Sequence, residues 1–186
     1  SADRQVNFLG GIVLEIEIVN GIVDEMAFVT QLLQKTDDGY ESILGNQNYA
    51  DTTKGFSMSS ILIQYGTPSN VNIYTWSTVP LGNSWDFHIL LFFPANGFAV
   101  DYTADVVKMR ENNLLGCPST AFSSFWFWDP STKVVTFQNV LEKYHLRNSK
   151  PIETASTLNV QDFYTYFREP GINKCIETPK NIWPLP

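Results

Sequence analysis

The sequence predicts an α+β domain built on an antiparallel β-sheet, with short helices packed on one face of the sheet. Alternating apolar and polar residues over 12–19, an Asn20-Gly21 dipeptide and a second apolar run predict a β-hairpin over Ile12–Val29. Later strand-like runs are joined by short connections, which favour antiparallel pairing. Helical patterns do not alternate regularly with the strands, so we expect α+β structure rather than βαβ units.

The remaining elements follow from local signals along the chain. A serine among Ser57, Ser59 and Ser60 can cap a helix start, and Gly66 and Pro68 are typical of a helix end, so we expect a helix that finishes at Tyr65. The C-terminal tail is proline-rich and is predicted to be extended and to dock through Ile182 and Trp183. We also predict strands over Val71–Trp76, Trp85–Phe93, Gly97–Tyr102 and Phe125–Trp128, and helices over Thr30–Lys35, Phe137–Leu146 and Val160–Phe167.

Length and composition fit one packed core with four successive parts. The 186 residues are 44% hydrophobic, which is ample for a core and argues against disorder. The parts are an N-terminal β-hairpin unit (1–36), a polar loop (37–56), a helix plus antiparallel meander (57–130), and a helical and irregular C-terminal segment (131–186) that packs on the same core.

The charge balance disfavours several classes of partner. The net charge is −7, and the nearest approach to a basic cluster is Lys108 with Arg110, whereas nucleic-acid binding requires a basic face. We therefore expect no nucleic-acid binding, and anionic lipid surfaces are disfavoured for the same reason. The longest apolar run, Ile89–Phe93, has the length of a strand, so we expect no membrane-spanning segment.

Catalytic and metal-binding patterns are missing from the sequence. It contains no zinc-ligand spacing, no calcium loop and no complete glycine-rich phosphate loop, so we predict no metal and no cofactor. The two histidines are interpreted as structural, with His88 half-exposed on one face of a strand and His145 on a solvated surface. A hydrolase that uses His88 with a nearby carboxylate or hydroxyl stays open as an alternative.

Aromatic residues are the most unusual feature of the chain. In a strand over Phe125–Trp128, the two phenylalanines face one way and the two tryptophans the other, so one pair needs cover from the chain or from a partner. A further hypothesis is a small-ligand pocket between the sheet and the C-terminal segment, lined by Trp76, Trp85 and Trp126. The candidates for a ligand or partner surface are Trp76, Trp85, Trp126 and Trp128.

One stretch carries a family resemblance. The helix end Tyr65–Pro68 (Tyr-Gly-Thr-Pro), followed by Val71 in a strand, resembles the repeat unit of small outer-membrane-assembly lipoproteins. The β-lactamase inhibitor proteins carry two such units in tandem. Turn sequences at Asn20-Gly21 and Asn96-Gly97 occupy comparable places. The resemblance implies two tandem helix-plus-sheet units, of which the first is incomplete because its helical part is either missing or was trimmed.

A second resemblance concerns the C-terminal tail. The run Cys175–Pro184, taken with Gly116–Pro118, looks like segments of uncharacterised bacterial lipoprotein-like proteins. Both resemblances imply an extracytoplasmic location, periplasmic or at the cell surface, with a lipid anchor on a leader removed upstream. No lipobox cysteine stands in the sequence. With the missing catalytic motifs, this leads us to expect a non-enzymatic domain that binds a protein or envelope partner.

Judged from the residues alone, the two cysteines can form a disulfide or be two buried thiols. Cys117 and Cys175 lie in bend-rich, proline-flanked segments rather than in the apolar stripes where buried thiols are typical. The oxidising compartment that the resemblance implies favours the bond, and two cysteines permit only one intrachain pairing. We therefore predict a Cys117–Cys175 disulfide that holds the C-terminal tail.

Overall fold

Nine strands of the described residues form one antiparallel sheet. The computed structural model describes residues 2–7, 12–30, 33–36, 39–42, 51, 53–77, 85–143, 145–146, 148–170 and 174–183. Its strands are β1 (Ala2–Asn7), β2 (Ile12–Val19), β3 (Ile22–Thr30), β4 (Leu33–Thr36), β5 (Gly39–Ser42), β6 (Asn70–Ser77), β7 (Trp85–Phe93), β8 (Phe98–Arg110), β9 (Asn113–Trp128), β10 (Lys150–Pro151) and β11 (Ile176–Pro179). The order across the large sheet is β1-β2-β3-β9-β8-β7-β6-β10, and β11 also pairs with β9.

Alternate residues of the central strand β7 pack in two separate cores. Ile89 and Leu91 belong to one buried cluster, whereas Leu90 and Phe92 belong to another. Successive side chains of a strand point to opposite faces, so the two clusters define a first and a second face of the sheet. The predicted α+β class with an antiparallel sheet is confirmed.

The helices cover both faces. They are α1 (Met58–Tyr65), α2 (Phe137–Lys143), α3 (Ile152–Ala155) and α4 (Val160–Phe167). Ile61 of α1, Ile152 of α3 and Phe163 of α4 pack in the first-face core, whereas Val140 of α2 packs in the second-face core. The expectation of helices on one face is therefore wrong. The continuous apolar run Ile89–Phe93 leaves β7 without a polar side, and both sides need cover.

Predictions that rested on clear turn or cap signals are confirmed. β2 and β3 pair through a turn in which Asn20 and Gly21 have φ of 53° and 81°, as a type I′ turn requires. Ser57 accepts a hydrogen bond from the backbone N–H of Ser60, and α1 ends at Tyr65. The predicted strands β6, β7 and β8 are antiparallel neighbours.

The hairpin of β8 and β9 is much longer than predicted. The sequence indicated strands only over Gly97–Tyr102 and Phe125–Trp128, yet β8 and β9 stay paired out to Arg110 and Asn113. Register shifts interrupt the pairing between Asp101 and 106, and such bulges bend a strand pair. The far part of this hairpin therefore leaves the line of the sheet.

The far part of the β8–β9 hairpin lies against the first-face core. Leu114 is fully buried there together with Phe87, and Gly116 lies so close to the Phe87 ring that a Cβ would overlap it. The predicted disulfide is present, since Cys117 of β9 is bonded to Cys175 next to β11. The tail is also docked as predicted, with Trp183 buried in the same core.

One helix prediction in the N-terminal third is wrong over the described residues. Where the structure describes the predicted helix Thr30–Lys35, it has strands instead: Thr30 ends β3, and residues 33–35 belong to β4, which pairs with β5 as a separate two-stranded sheet. The polar loop 37–56 contains β5 and a 3₁₀ turn over Lys54–Phe56. Among the described residues, none of the helices has the length and apolar character needed to cross a membrane.

Candidate functional site

Four polar side chains meet inside the second face of the sheet. Tyr74, His88 and Ser123 surround one carboxylate oxygen of Asp101. The Tyr74 hydroxyl is 2.6 Å, the His88 Nδ1 2.8 Å and the Ser123 Oγ 2.5 Å from Asp101 Oδ2. None of the four residues is more than 9% exposed. They form a buried polar cluster, called here the Asp101 cluster.

The strand register explains how four distant residues meet. Tyr74 pairs with His88 across β6 and β7, and Asp101 lies one step away on β8, where it pairs with Leu90. All three side chains point to the second face because their positions share the parity of Leu90. Ser123 lies where the β8–β9 register shifts, next to Asp101. Such a bulge re-aims a side chain, here toward the carboxylate.

The electrostatics of the Asp101 cluster favour the protonated form of His88. Burial alone would lower the pKa of His88, but the negative charge and hydrogen bond of Asp101, helped by Asp86, outweigh it and raise that pKa. Burial raises the pKa of Tyr74 well above its usual value, and the charge of Asp101 adds to the rise. Tyr74 is therefore a neutral donor, and its ring also stacks on the imidazole at 4.5 Å.

The geometry of the Asp101 cluster is a shared network rather than a linear relay. In a serine hydrolase, the hydroxyl, the imidazole and the carboxylate follow one another in a chain. Here the hydroxyls of Tyr74 and Ser123 both donate to the carboxylate oxygen that also binds His88. The second oxygen of Asp101 is buried without a hydrogen-bond partner among the described residues. The charge of the carboxylate therefore depends on the three groups around Oδ2.

Sequence reasoning misjudged this region. His88 was expected to be half-exposed, but it is buried and bound to Asp101, so that expectation is wrong. His145 is exposed, as expected. The overlooked signal was a histidine and an aspartate standing inside strongly apolar strands, where a charged group is normally paired.

The tip of the β2–β3 hairpin is a second unusual region. Val19, Ile22, Val23 and Met26 flank the Asn20-Gly21 turn and are 37%, 72%, 51% and 40% exposed. By strand parity, Val19 and Ile22 lie on the second face, and Val23 and Met26 on the first. The tip is therefore apolar on both sides.

Ion pairs hold the hairpin just behind its tip. Lys133 pairs with Asp24 and Glu25, and Lys143 of α2 pairs with Glu17 and Glu25. The three carboxylates lie within 4.8 Å of one another, a spacing that a cation could use, but each of them is bound to a lysine. Burial alone would lower the pKa of both lysines, but the hydrogen bonds and charges of the carboxylates outweigh it, so the pKa of each lysine is raised. The cluster therefore works as a clamp between the hairpin and α2.

The three described tryptophans among those named from the sequence are divided between the two faces of the sheet. Trp85 packs in the first-face core, whereas Trp126 and Trp128 pack in the second-face core beside α2. The side chain of Trp76 lies outside the described residues. Trp85 and Trp126 therefore do not line one pocket as the small-ligand hypothesis required. Trp126 and Trp128 instead form part of the wall of a groove of about 510 Å³ beside the lysine clamp.

Comparison with known proteins adds no relative to this description. No family model, no curated protein and no solved structure matches the chain.

Proposed function

We propose that this chain is a non-enzymatic, extracytoplasmic domain that docks onto another protein by inserting the tip of the β2–β3 hairpin into an apolar pocket of the partner. The observation that carries the proposal is the exposure of Val19, Ile22, Val23 and Met26 around one turn. Exposed apolar residues that are scattered singly are ordinary, whereas a group of them marks an interaction surface. The Asn20-Gly21 turn holds the tip in one conformation, which lowers the entropy cost of docking.

The chemistry around the tip favours a protein over a lipid surface. Membrane-inserting elements combine apolar residues with lysine or arginine, and with tryptophan or tyrosine at the interface. On β2 and β3 themselves the charged residues nearest the tip are Glu17, Asp24 and Glu25, and the lysines that pair with them are held in the clamp behind the tip. Neither strand carries an aromatic residue closer than Phe28. The net charge of −7 further opposes anionic lipid.

The disulfide supports the proposed compartment. Such bonds persist in oxidising environments and are rare in the cytosol. Cys117–Cys175 joins the far part of the β8–β9 hairpin to the tail. In an extracytoplasmic domain, this disulfide would form before the domain meets its partner.

The test uses a tip variant and a matched surface control. The Ile22→Lys, Val23→Lys double variant places charge on both sides of the tip. The control is Ile63→Lys, because Ile63 is 61% exposed on α1 and far along the chain from the hairpin. A protein cross-linked to the wild-type tip in envelope extract is purified and titrated against all three chains. We expect the double variant to bind at least about tenfold more weakly, while the control stays within about twofold.

Several outcomes would reject the proposal. One is equal binding by the tip variant and the control. Another is tip-dependent binding to zwitterionic or anionic vesicles without any protein, which would make lipid the occupant. A third is concentration-dependent self-association that the tip variant abolishes, which would make a second copy of the chain the occupant. Circular dichroism of each variant separates loss of binding from loss of fold.

A hydrolase is the second candidate, because His88 does contact a carboxylate. The 2.8 Å contact between His88 Nδ1 and Asp101 is the arrangement that orients a catalytic imidazole. Hydrolysis of chromogenic esters, amides and glycosides by the purified chain tests this candidate. Turnover that disappears in both His88→Gln and Asp101→Asn, with the fold intact, would favour it over the non-enzymatic proposal.

A further inference from the structure

A path of hydrogen bonds joins the Asp101 cluster to the base of the β2–β3 hairpin. The Oγ1 of Thr30, the last residue of β3, donates to the carbonyl of Phe122 at 3.0 Å. The next residue, Ser123, donates to Asp101 Oδ2 at 2.5 Å and lies 3.2 Å from the Asp101 carbonyl. Asp101 in turn binds His88. Thr30, Phe122, Ser123, Asp101 and His88 are all buried, so solvent does not screen the path.

The charge on this path depends on one proton. With His88 protonated, the carboxylate faces a full positive charge. Without that proton, a buried negative charge is left with neutral donors, and burying an uncompensated charge is costly. The titratable or charged groups that face His88 from the described elements are Tyr74 on β6, Asp101 on β8 and Asp86 on its own strand. None of them supplies a replacement positive charge.

We propose that the proton on His88 sets how firmly the base of the β2–β3 hairpin is held on β9. With the imidazolium in place, Asp101 keeps Ser123 in the bulge, and the bulge presents the Phe122 carbonyl to Thr30. When His88 loses its proton, the carboxylate draws water or shifts, and the bulge loosens together with the end of β3. The hairpin is then held by the β3–β9 pairing over Glu25–Val29 and by the lysine clamp behind its tip. An effect of this change on docking rests on the proposed function. The loosening of the hairpin itself does not depend on that function.

Hydrogen exchange measured on the whole chain tests the inference without any partner. The amides of 26–30 and 122–125 are followed from pH 5.5 to 8.5, corrected for intrinsic exchange rates, with α4 as internal reference. We expect the opening equilibrium of the two segments to rise about threefold or more across this range, while α4 changes little. In His88→Gln the two segments should be equally open at every pH, at the level of the high-pH wild type.

The second histidine provides the matched control. His145 is exposed and lies outside the Asp101 cluster, so His145→Gln should keep the full pH response. A wild-type hairpin whose protection follows α4 at every pH overturns the inference, and so does a pH response that survives in His88→Gln. The wild-type titration decides the matter even where the His88 variant folds poorly. Loss of partner binding in the tip variant with an intact pH response would leave this inference standing and support the docking proposal separately.

Discussion

The central strands and the N-terminal hairpin use the same residue types in opposite ways. In β7, residues 87 to 93 are all buried, and helices or loops of the chain cover them on both faces. At the hairpin tip, Ile22 and Val23 are more than half exposed. A sequence pattern alone treats both as strand residues. The difference lies in whether the rest of the chain reaches over them, and uncovered apolar residues grouped at one turn are the ones that suit an outside partner.

The largest expected effect concerns the Cys117–Cys175 disulfide, which holds the C-terminal tail over the sheet. The disulfide spans 58 positions and fixes the tail that carries β11 and Trp183 against the first-face core. We expect Cys117→Ser with Cys175→Ser to lower the free energy of unfolding by up to about 4 kcal/mol, by the loop-entropy estimate. Urea unfolding of the double variant measures this. A loss below about 1 kcal/mol would mean that core contacts alone hold the tail.

The next prediction compares a covered residue with an uncovered one. Leu91 is fully buried in the first-face core, so Leu91→Ala should cost about 3 kcal/mol through lost contacts and a cavity. Ile22 is 72% exposed, so Ile22→Ala should change the free energy of unfolding by less than about 0.5 kcal/mol. The same urea experiment measures both. A large cost at Ile22 would show that the tip is covered in solution and would weaken the docking proposal.

Much of the fold was predictable because its signals are local. The Asn20-Gly21 turn, the Ser57 cap and the period of α4 each occupy a few neighbouring residues, and the structure has them where they were expected. The far part of the β8–β9 hairpin was missed because Gly116 and Pro118 interrupt the strand pattern. The disulfide and β11 hold that segment through contacts distant in sequence.

The Asp101 cluster could not be predicted because it depends on register across four strands. Tyr74, His88, Asp101 and Ser123 are spread over 50 positions and meet through ladder pairing and one bulge. A one-residue slip in any strand would turn its side chain to the other face. The sequence carried only the hint that polar residues stood in apolar strands.

The pH dependence of stability tests the buried central strands in the comparison with the exposed hairpin tip. The folded pKa of His88 is raised, so its contribution is fully present below the unfolded pKa of about 6.5 and is lost as pH rises through the folded value. At pH 6 we expect His88→Gln to cost about 2 kcal/mol, the usual worth of a hydrogen bond to a charged group. The cost should shrink toward pH 9. Urea midpoints of both proteins across this range measure it, and a cost that grows with pH would contradict the assigned sign.

The smallest expected effect compares the turns of the two long hairpins. Asn20-Gly21 suits its backbone, whereas Glu111, the first turn residue between Arg110 and Asn113, has φ of 53°. A side chain with a Cβ is strained there, and glycine is favoured. We expect Glu111→Gly to raise the free energy of unfolding by about 0.5 kcal/mol, since relief of strain exceeds the added entropy of the unfolded chain. Glu111→Ala is the control, because it removes the charge and keeps the strain. Equal gains in both variants would assign the effect to the net negative charge rather than to the backbone.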